Sequence, residues 1–404
     1  MDLSAAKEPN KYSPRCRVVQ GLCTGPSENP LREELRSVVL IPTCLYIGTA
    51  VPLPEKALIA QIRRMARSDK ATPNKQKQAD KSVRPTRAAL IAGMGDDCAV
   101  LRWLPGQDSL VTTDFSLEGI HFRRDWHPAE SVGHRCLARG LSDIAAMGGD
   151  PVAAFLSLAL PHDLPQAWVG RFLRGLISLA EKHGVTLAGG DTAESPGGVL
   201  ADIIVVGTVA EGKAVMRSGA RPGDRIFVSG DLGGSAAAVL QMRARSKRGK
   251  SENKSENRKK SKKELHPGFY RRHFYPEPRV ELGRLLREKG LASAMIDTSD
   301  GLSTDLTHIC EESDVGAELD DALVPRARVG HLEREVDLDL ALHGGEDYEL
   351  LFTAPPGKRI PAQVGGVAVT QIGRITRSRG IWARNAEGIA YELHPRGWEH
   401  FKSH

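Results

Sequence analysis

Six times along these 404 residues an apolar run breaks off into acids set among Gly, Ser or Thr. The places are Gly95-Asp96-Asp97, Thr112-Thr113-Asp114, Ser142-Asp143, Gly189-Gly190-Asp191, Asp297-Thr298-Ser299-Asp300 and Gly344-Gly345-Glu346-Asp347. Neighbouring carboxylates repel and raise one another's pKa. A fold can carry them on water-facing turns, or it can gather them around divalent cations. The repetition favours the second, with the acids converging on metal ions that hold a polyphosphate.

Periodicity places these motifs on elements. From Pro54, Leu58, Ile59, Ile62 and Met65 fall on one helical face. The runs Ala88 to Ala92 and Cys98 to Trp103 have strand composition and flank Asp96-Asp97. A strand at Leu110 to Thr112 is expected to end at Asp114. The helix after it carries Val132, Cys136, Leu137, Leu141, Ile144 and Ala145 as its apolar stripe and stops at Gly148-Gly149. Strand, amphipathic helix and two further strands follow, as far as Gly212. This order implies a mixed α/β (α+β) N-terminal domain over residues 53–212. A C-terminal α/β domain over 213–404 opens with a strand from Arg225 to Ser229, a Gly-rich turn and a helix starting near Ser235. Ser299 is the candidate cap of a helix that begins after Asp297. Residues 1–52 show no sustained period and read as a poorly ordered leader.

The net charge of +6 is unevenly spread. From Arg243 to Lys263 there are eleven Lys or Arg against Glu252 and Glu256, a local +9 that leaves the remainder at −3. The folded part is therefore not read as a nucleic-acid binder. Residues 243–264 are a basic low-complexity insert, too poor in apolar groups to fold, and read as a solvated loop. No run reaches the roughly 18–20 apolar residues a membrane span needs. Of the six cysteines (Cys16, Cys23, Cys44, Cys98, Cys136 and Cys310), none has zinc-type spacing. Cys98, Cys136 and Cys310 lie in runs expected to be core, where a reduced thiol acts as a small hydrophobe. The expectation is a cytoplasmic protein with no membrane partner.

There is no Walker A sequence, kinase catalytic loop or dinucleotide fingerprint, so a nucleotide must be held another way. Magnesium suits an acid-rich site, since it takes oxygen ligands and bridges one or two carboxylates to substrate phosphates. Each acid also has a bland alternative. Asp297 and Asp300 can compensate a helix dipole. Asp143 lies four residues after Arg139 and can form an i,i+4 ion pair. His121 alone reads as a hydrogen-bonded surface group and Glu346 as part of a surface turn. Arg217 is either a linker residue or a guanidinium that reaches phosphate.

Taken together, GMGDDCAVL, TTDFSLEGIHF, LSDIAAMGGDP, AGGDT, RSGARPGD, IDTSDGLSTDL and HGGEDYELLF resemble the thiamine-monophosphate kinase family. That family belongs to the superfamily of aminoimidazole ribonucleotide synthetase and selenophosphate synthetase. The segments run in the family's order from about Pro54 to the C-terminus. The resemblance implies ATP-dependent phosphorylation of thiamine monophosphate to thiamine diphosphate, with several Mg2+ ions and the use of K+ left open. It implies Asp97, Thr112, Thr113, Asp114, Asp143, Asp191, Asp297 and Asp300 as metal ligands. Gly190, Asp191, Arg217 and Ser299 are implied as ATP contacts, and His121, Glu346 and Trp398 as substrate contacts. No general base is implied, because an acceptor phosphate is already ionised. The family's fold further implies a homodimer whose N-terminal sheets join across a two-fold axis.

Gly140 and Arg135 depart from that resemblance, standing where the family usually has Asn and Lys. The leader and the insert have no counterpart. The alternatives are a related ATP-dependent enzyme with a different acceptor, and a binding protein driven by the basic insert.

Overall fold

Two mixed sheets, each with side chains alternating between its faces, carry most of the described strands, and helices close them. In the computed structural model the described residues are 53, 55–66, 89–92, 98–251 and 267–397. The leader over 1–52, Asp97 and Trp398 lie outside them.

Helix α1 (Glu55–Ala66) precedes an antiparallel pair of short strands, β1 (Ala89–Ala92) and β2 (Val100–Arg102). There follow β3 (Gln107–Leu117), α2 (Ala129–Ala146), β4 (Asp150–Pro161), α3 (Gln166–His183), β5 (Thr186–Ser195) and β6 (Leu200–Ala210). The first sheet has the order β3-β6-β4-β5, with β4 and β5 parallel and the other pairs antiparallel. Its core joins Leu137, Leu141 and Ile144 of α2 to Phe172 and Leu176 of α3 and to Ile203 and Val205 of β6. Leu58 and Ile62 of α1 complete the same cluster.

Strand β3 does not stop at Asp114. Its ladder with β6 continues to Leu117 opposite Leu200, so Asp114 sits inside the strand. Cys98, expected in a core, is exposed, whereas Cys136 and Cys310 are buried. A two-stranded pair such as β1-β2 has too little surface to bury its residues.

The second sheet is built from the remaining elements in this order: β7 (Arg225–Ser229), α4 (Gly234–Ser251), α5 (Arg271–Phe274), α6 (Val280–Glu288), β8 (Ala294–Asp297), α7 (Leu302–Ser313), β9 (Gly316–Asp320), β10 (Arg328–Val329), β11 (Arg334–Glu335), α8 (Leu338–His343), β12 (Leu350–Ala354), β13 (Gln363–Val364), β14 (Val367–Thr376), β15 (Ile381–Arg384) and β16 (Ala390–Glu392). Its strands run β16-β15-β9-β14-β7-β12-β8, with β13 paired to β14 and β10-β11 standing apart. Successive residues divide between two cores, as period-2 alternation requires. Ile226, Val228, Ile296 and Leu351 pack with Leu302, Leu306 and Ile309 of α7. Phe227, Met295 and Phe352 pack on the other face with Leu282 and Leu286 of α6. Ala145 and Ala146 of α2 enter that second core, so a helix of the first sheet is built into the second.

Residues 243–251, expected to be solvated loop, prolong α4 instead. Extending an existing helix avoids the nucleation cost, and Arg and Lys are good helix formers. The rest of the insert lies outside the described residues. No helix among the described residues is long and apolar enough to cross a membrane.

Candidate active site

Helix α2 lies between the two sheets and brings three acids to one place. Asp114 comes from β3, Asp143 from α2 and Asp297 from the end of β8. Thr112 Oγ1 donates to Asp143 Oδ2, and Ser142 Oγ donates to Asp297 Oδ2 at 2.7 Å. Arg139 Nε stands 3.8 Å from Asp114 Oδ1, so its ion pair is made with β3 and not along its own helix. This close seating needs Gly140. A Cβ there would lie 2.6 Å from Val205 Cγ2 and 3.5 Å from Thr112 Cγ2. The departure at 140 is therefore what lets α2 settle on β6 beside Thr112.

The acids are electrostatically strained. Burial, reinforced by Asp143, pushes Asp114 up to about 7. Burial and Asp143 do the same to Asp297, which is only 3% exposed. Asp143 is also raised, chiefly by burial, while the hydroxyl of Thr112 and the guanidinium of Arg217 work the other way. Arg217 also lowers Asp297, which places its charge against the same acids although the residue is exposed. Asp114 Oδ2 is buried without a hydrogen-bond donor. Such a cluster wants protons or cations. Its donors are all hard oxygens, which suits magnesium. Among the described residues no three His, Cys, Asp or Glu side chains form a closed ligand set.

Two of the other expected ligands, Thr113 and Asp191, stand apart from this cluster. Thr113 alternates to the opposite face of β3, where Oγ1 donates to Asp202 Oδ1 at 2.8 Å. Asp191 lies on β5 and accepts from the Thr192 N–H at 2.8 Å. The ladders align Asp191 with Ser157, then Asp202, then Phe115. Asp191 is thus level with Phe115, the neighbour of Asp114, but three strands away, roughly 14 Å at ordinary strand spacing. Gly190 beside it has φ 142, and a Cβ there would overlap Leu156 O at 1.8 Å. Ser299 does not cap α7. The cap position is Gly301, and Asp305 Oδ2 accepts the Gly301 and Asp300 N–H groups at 2.9 and 3.3 Å. Gly397 N donates to Thr304 Oγ1 at 3.1 Å, which brings the residue before Trp398 to the start of α7.

Glu346 is not in a loose surface turn. Glu346 and Tyr348 both have left-handed backbone, φ 65 and φ 53, which costs on the order of 1–3 kcal/mol each. The segment is pinned on both sides. Glu346 N donates to Ser299 O at 2.8 Å and Tyr348 N to Thr298 O at 3.0 Å. The Asp347 carboxylate accepts from Gly233 N at 2.5 Å and Ser235 N at 3.0 Å. Glu349, 1% exposed, is gripped by Arg279 and by Ser229 Oγ at 2.6 Å. Burial raises Glu346, but Arg135 and Arg139, helped by His121, hold it below the usual range. The His121 Nδ1 accepts from the Leu117 N–H at 3.0 Å.

Residues 95–209 match the family model described as AIR synthase related protein, N-terminal domain, and residues 221–383 match AIR synthase related protein, C-terminal domain. The thiamine-monophosphate kinase of Escherichia coli K12 is 39% identical over 329 residues, covering 79% of this chain and 94% of that one. The Bacillus subtilis 168 enzyme of that name is 31% identical, with 78% and 95% covered. Among solved structures, thiamine-monophosphate kinase from Stenotrophomonas maltophilia K279a superposes with a TM-score of 0.64 at 33% identity, covering 83% of this chain and 97% of that one. AaThiL complexed with AMPPCP and TMP gives a TM-score of 0.61 at 30% identity, with 74% and 89% covered.

Proposed function

This chain belongs to the thiamine-monophosphate kinase family, and we propose that it transfers the γ-phosphoryl group of ATP to thiamine monophosphate, giving thiamine diphosphate and ADP. The observation that carries the reading is the meeting of Asp114, Asp143 and Asp297 beside Arg217. A phosphate oxygen of the acceptor attacks the γ-phosphorus, and the bond to the β–γ bridging oxygen breaks, its electron pair leaving on ADP. The acceptor is ionised at neutral pH, so no proton need be abstracted. The chain's task is to align two polyanions and cancel their charge.

We assign Thr112, Asp114, Asp143 and Asp297 to hold magnesium, which when bound supplies the positive charge that neutralises the phosphate oxygens. Asp97, Thr113, Asp191 and Asp300 are assigned to further ions; the Thr113 hydroxyl is on the opposite face of β3 and Asp191 is three strands away. Gly190, Asp191, Arg217 and Ser299 hold ATP, and His121, Glu346 and Trp398 hold the acceptor. The buried free thiols of Cys136 and Cys310 suit a reducing cytoplasm. The halves 53–212 and 213–404 act as the two walls of the cleft.

The test is to incubate purified protein with ATP, Mg2+ and thiamine monophosphate, with and without K+, and to follow thiamine diphosphate and ADP. Folded protein that makes neither product refutes the reading.

A further inference from the structure

A buried polar chain runs behind Glu346. Arg135 of α2 is 4% exposed, and its Nη2 lies 2.8 Å from Glu346 Oε1. Its Nη1 donates to the main-chain oxygen of His273 in α5. His273, 1% exposed, places Nε2 2.8 Å from His127 Nε2 and Nδ1 2.8 Å from Ser235 Oγ. Ser235 N in turn donates to Asp347 Oδ1. One guanidinium therefore ties α2 both to Glu346 and, through His273 and Ser235, to the residue after it.

We infer that Arg135 is a positioning residue that fixes the Glu346 carboxylate in its left-handed turn at the acceptor end of the cleft. This rests on the proposed role of Glu346 and explains how that role is maintained. A left-handed glutamate persists only where its surroundings over-determine it. The Glu346 backbone has one tie, to Ser299 O, and Arg135 supplies the tie to its side chain. A guanidinium fork can serve two acceptors lying in different directions, whereas an ammonium is a single point charge. Here both directions are used, and both acceptors belong to the second half of the chain.

The experiment measures KM for thiamine monophosphate and for ATP separately, with melting curves, in Arg135→Gln, Arg135→Lys, Glu346→Gln and the two doubles. Losing a charge-assisted contact to Glu346 raises the acceptor KM of Arg135→Gln at least about tenfold. The ATP KM stays within about twofold, because the contact lies on the acceptor side. Arg135→Lys, which keeps the charge but not the fork, recovers only part of the loss. In the Glu346→Gln background neither substitution at 135 changes the acceptor KM further, since the partner is gone. If Arg135→Gln melts below assay temperature, Arg135→Lys carries the comparison, with a smaller rise that disappears in the double.

The inference is overturned if both KM values rise together. It is equally overturned if the effect survives undiminished in Glu346→Gln, or if Lys is as poor as Gln. An unchanged Arg135→Gln beside a weakened Glu346→Gln sinks this inference alone. An unchanged Glu346→Gln sinks the role of Glu346 and the positioning with it. Absence of turnover in the wild type sinks the proposed reaction instead.

Discussion

At the scale of single residues, Asp143 is where the competing demands meet. It accepts from Thr112, lies against Asp114 and Asp297, and is half-buried on a helix packed into both halves. Asp143→Asn keeps the acceptor for Thr112 and removes the charge. We expect turnover to fall at least about a hundredfold, the scale on which lost electrostatic preorganisation is felt, with circular dichroism unchanged. Near-native rates would return Asp143 to a structural role. The same acids predict a pH signature. Asp114 and Asp297 are raised to about 7 in the folded chain. The unfolded chain releases these protons near pH 4, so folding takes up protons between about 4 and 7. Their contribution is fully present below about pH 4 and is lost as pH rises to about 7. In EDTA, the melting temperature of wild type should therefore drop relative to that of Asp297→Asn as pH goes from 5 to 8. Added Mg2+ should raise the wild-type value more at pH 8 than at pH 5, since the cation replaces protons that are already gone. A Mg2+ effect independent of pH would exclude these carboxyls as its site.

At the scale of elements, α2 decides the geometry, and Gly140 decides how closely it sits. Gly140→Asn restores the residue usual in the resembling family, but its Cβ meets Val205 Cγ2 at 2.6 Å. Overpacking of this kind costs about 1–3 kcal/mol. Chemical denaturation should show that loss, together with reduced turnover, because a displaced α2 carries Asp143 off Thr112. A variant of unchanged stability would mean the neighbours yield freely. The apolar stripe of α2 could be read in the sequence because it is local: Val132, Cys136, Leu137, Leu141 and Ile144 repeat at helical spacing and are all buried. The acid motifs were legible as motifs for the same reason. The end of β3 was not, because its length is set by pairing with Leu200, a partner remote in sequence. The contacts of Arg135 were hidden likewise, since Glu346 and His273 reach it only through the tertiary fold. The continuation of α4 through a run without large apolar residues depends on the turns before it, which composition alone does not weigh.

At the scale of the whole molecule, the helices of the first sheet among the described residues pack on one of its faces. Helices α2 and α3 pack on the side of Ile203 and Val205. On the other side Val111 and Phe115 of β3 are 68% and 55% exposed, with Phe155 and Ile204 half-buried beside them. Strand β3 is also an edge, eleven residues long, which leaves a row of backbone groups ready to pair. A second copy of the chain, joined sheet to sheet, satisfies both features and is the assembly the resemblance implies. Phe115→Asp tests it sharply, because an isologous two-fold interface presents every substitution twice. Each copy would then bury a carboxylate close to the other's. Sedimentation of wild type should report a dimer, and Phe115→Asp should shift it to monomer at micromolar concentration. Ile389→Asp serves as the control: that residue is 63% exposed but adjoins β16, at the far edge of the second sheet. It should leave the dimer intact. A monomeric wild type, or a Phe115→Asp protein that remains dimeric, would show that this face is not where the copies meet.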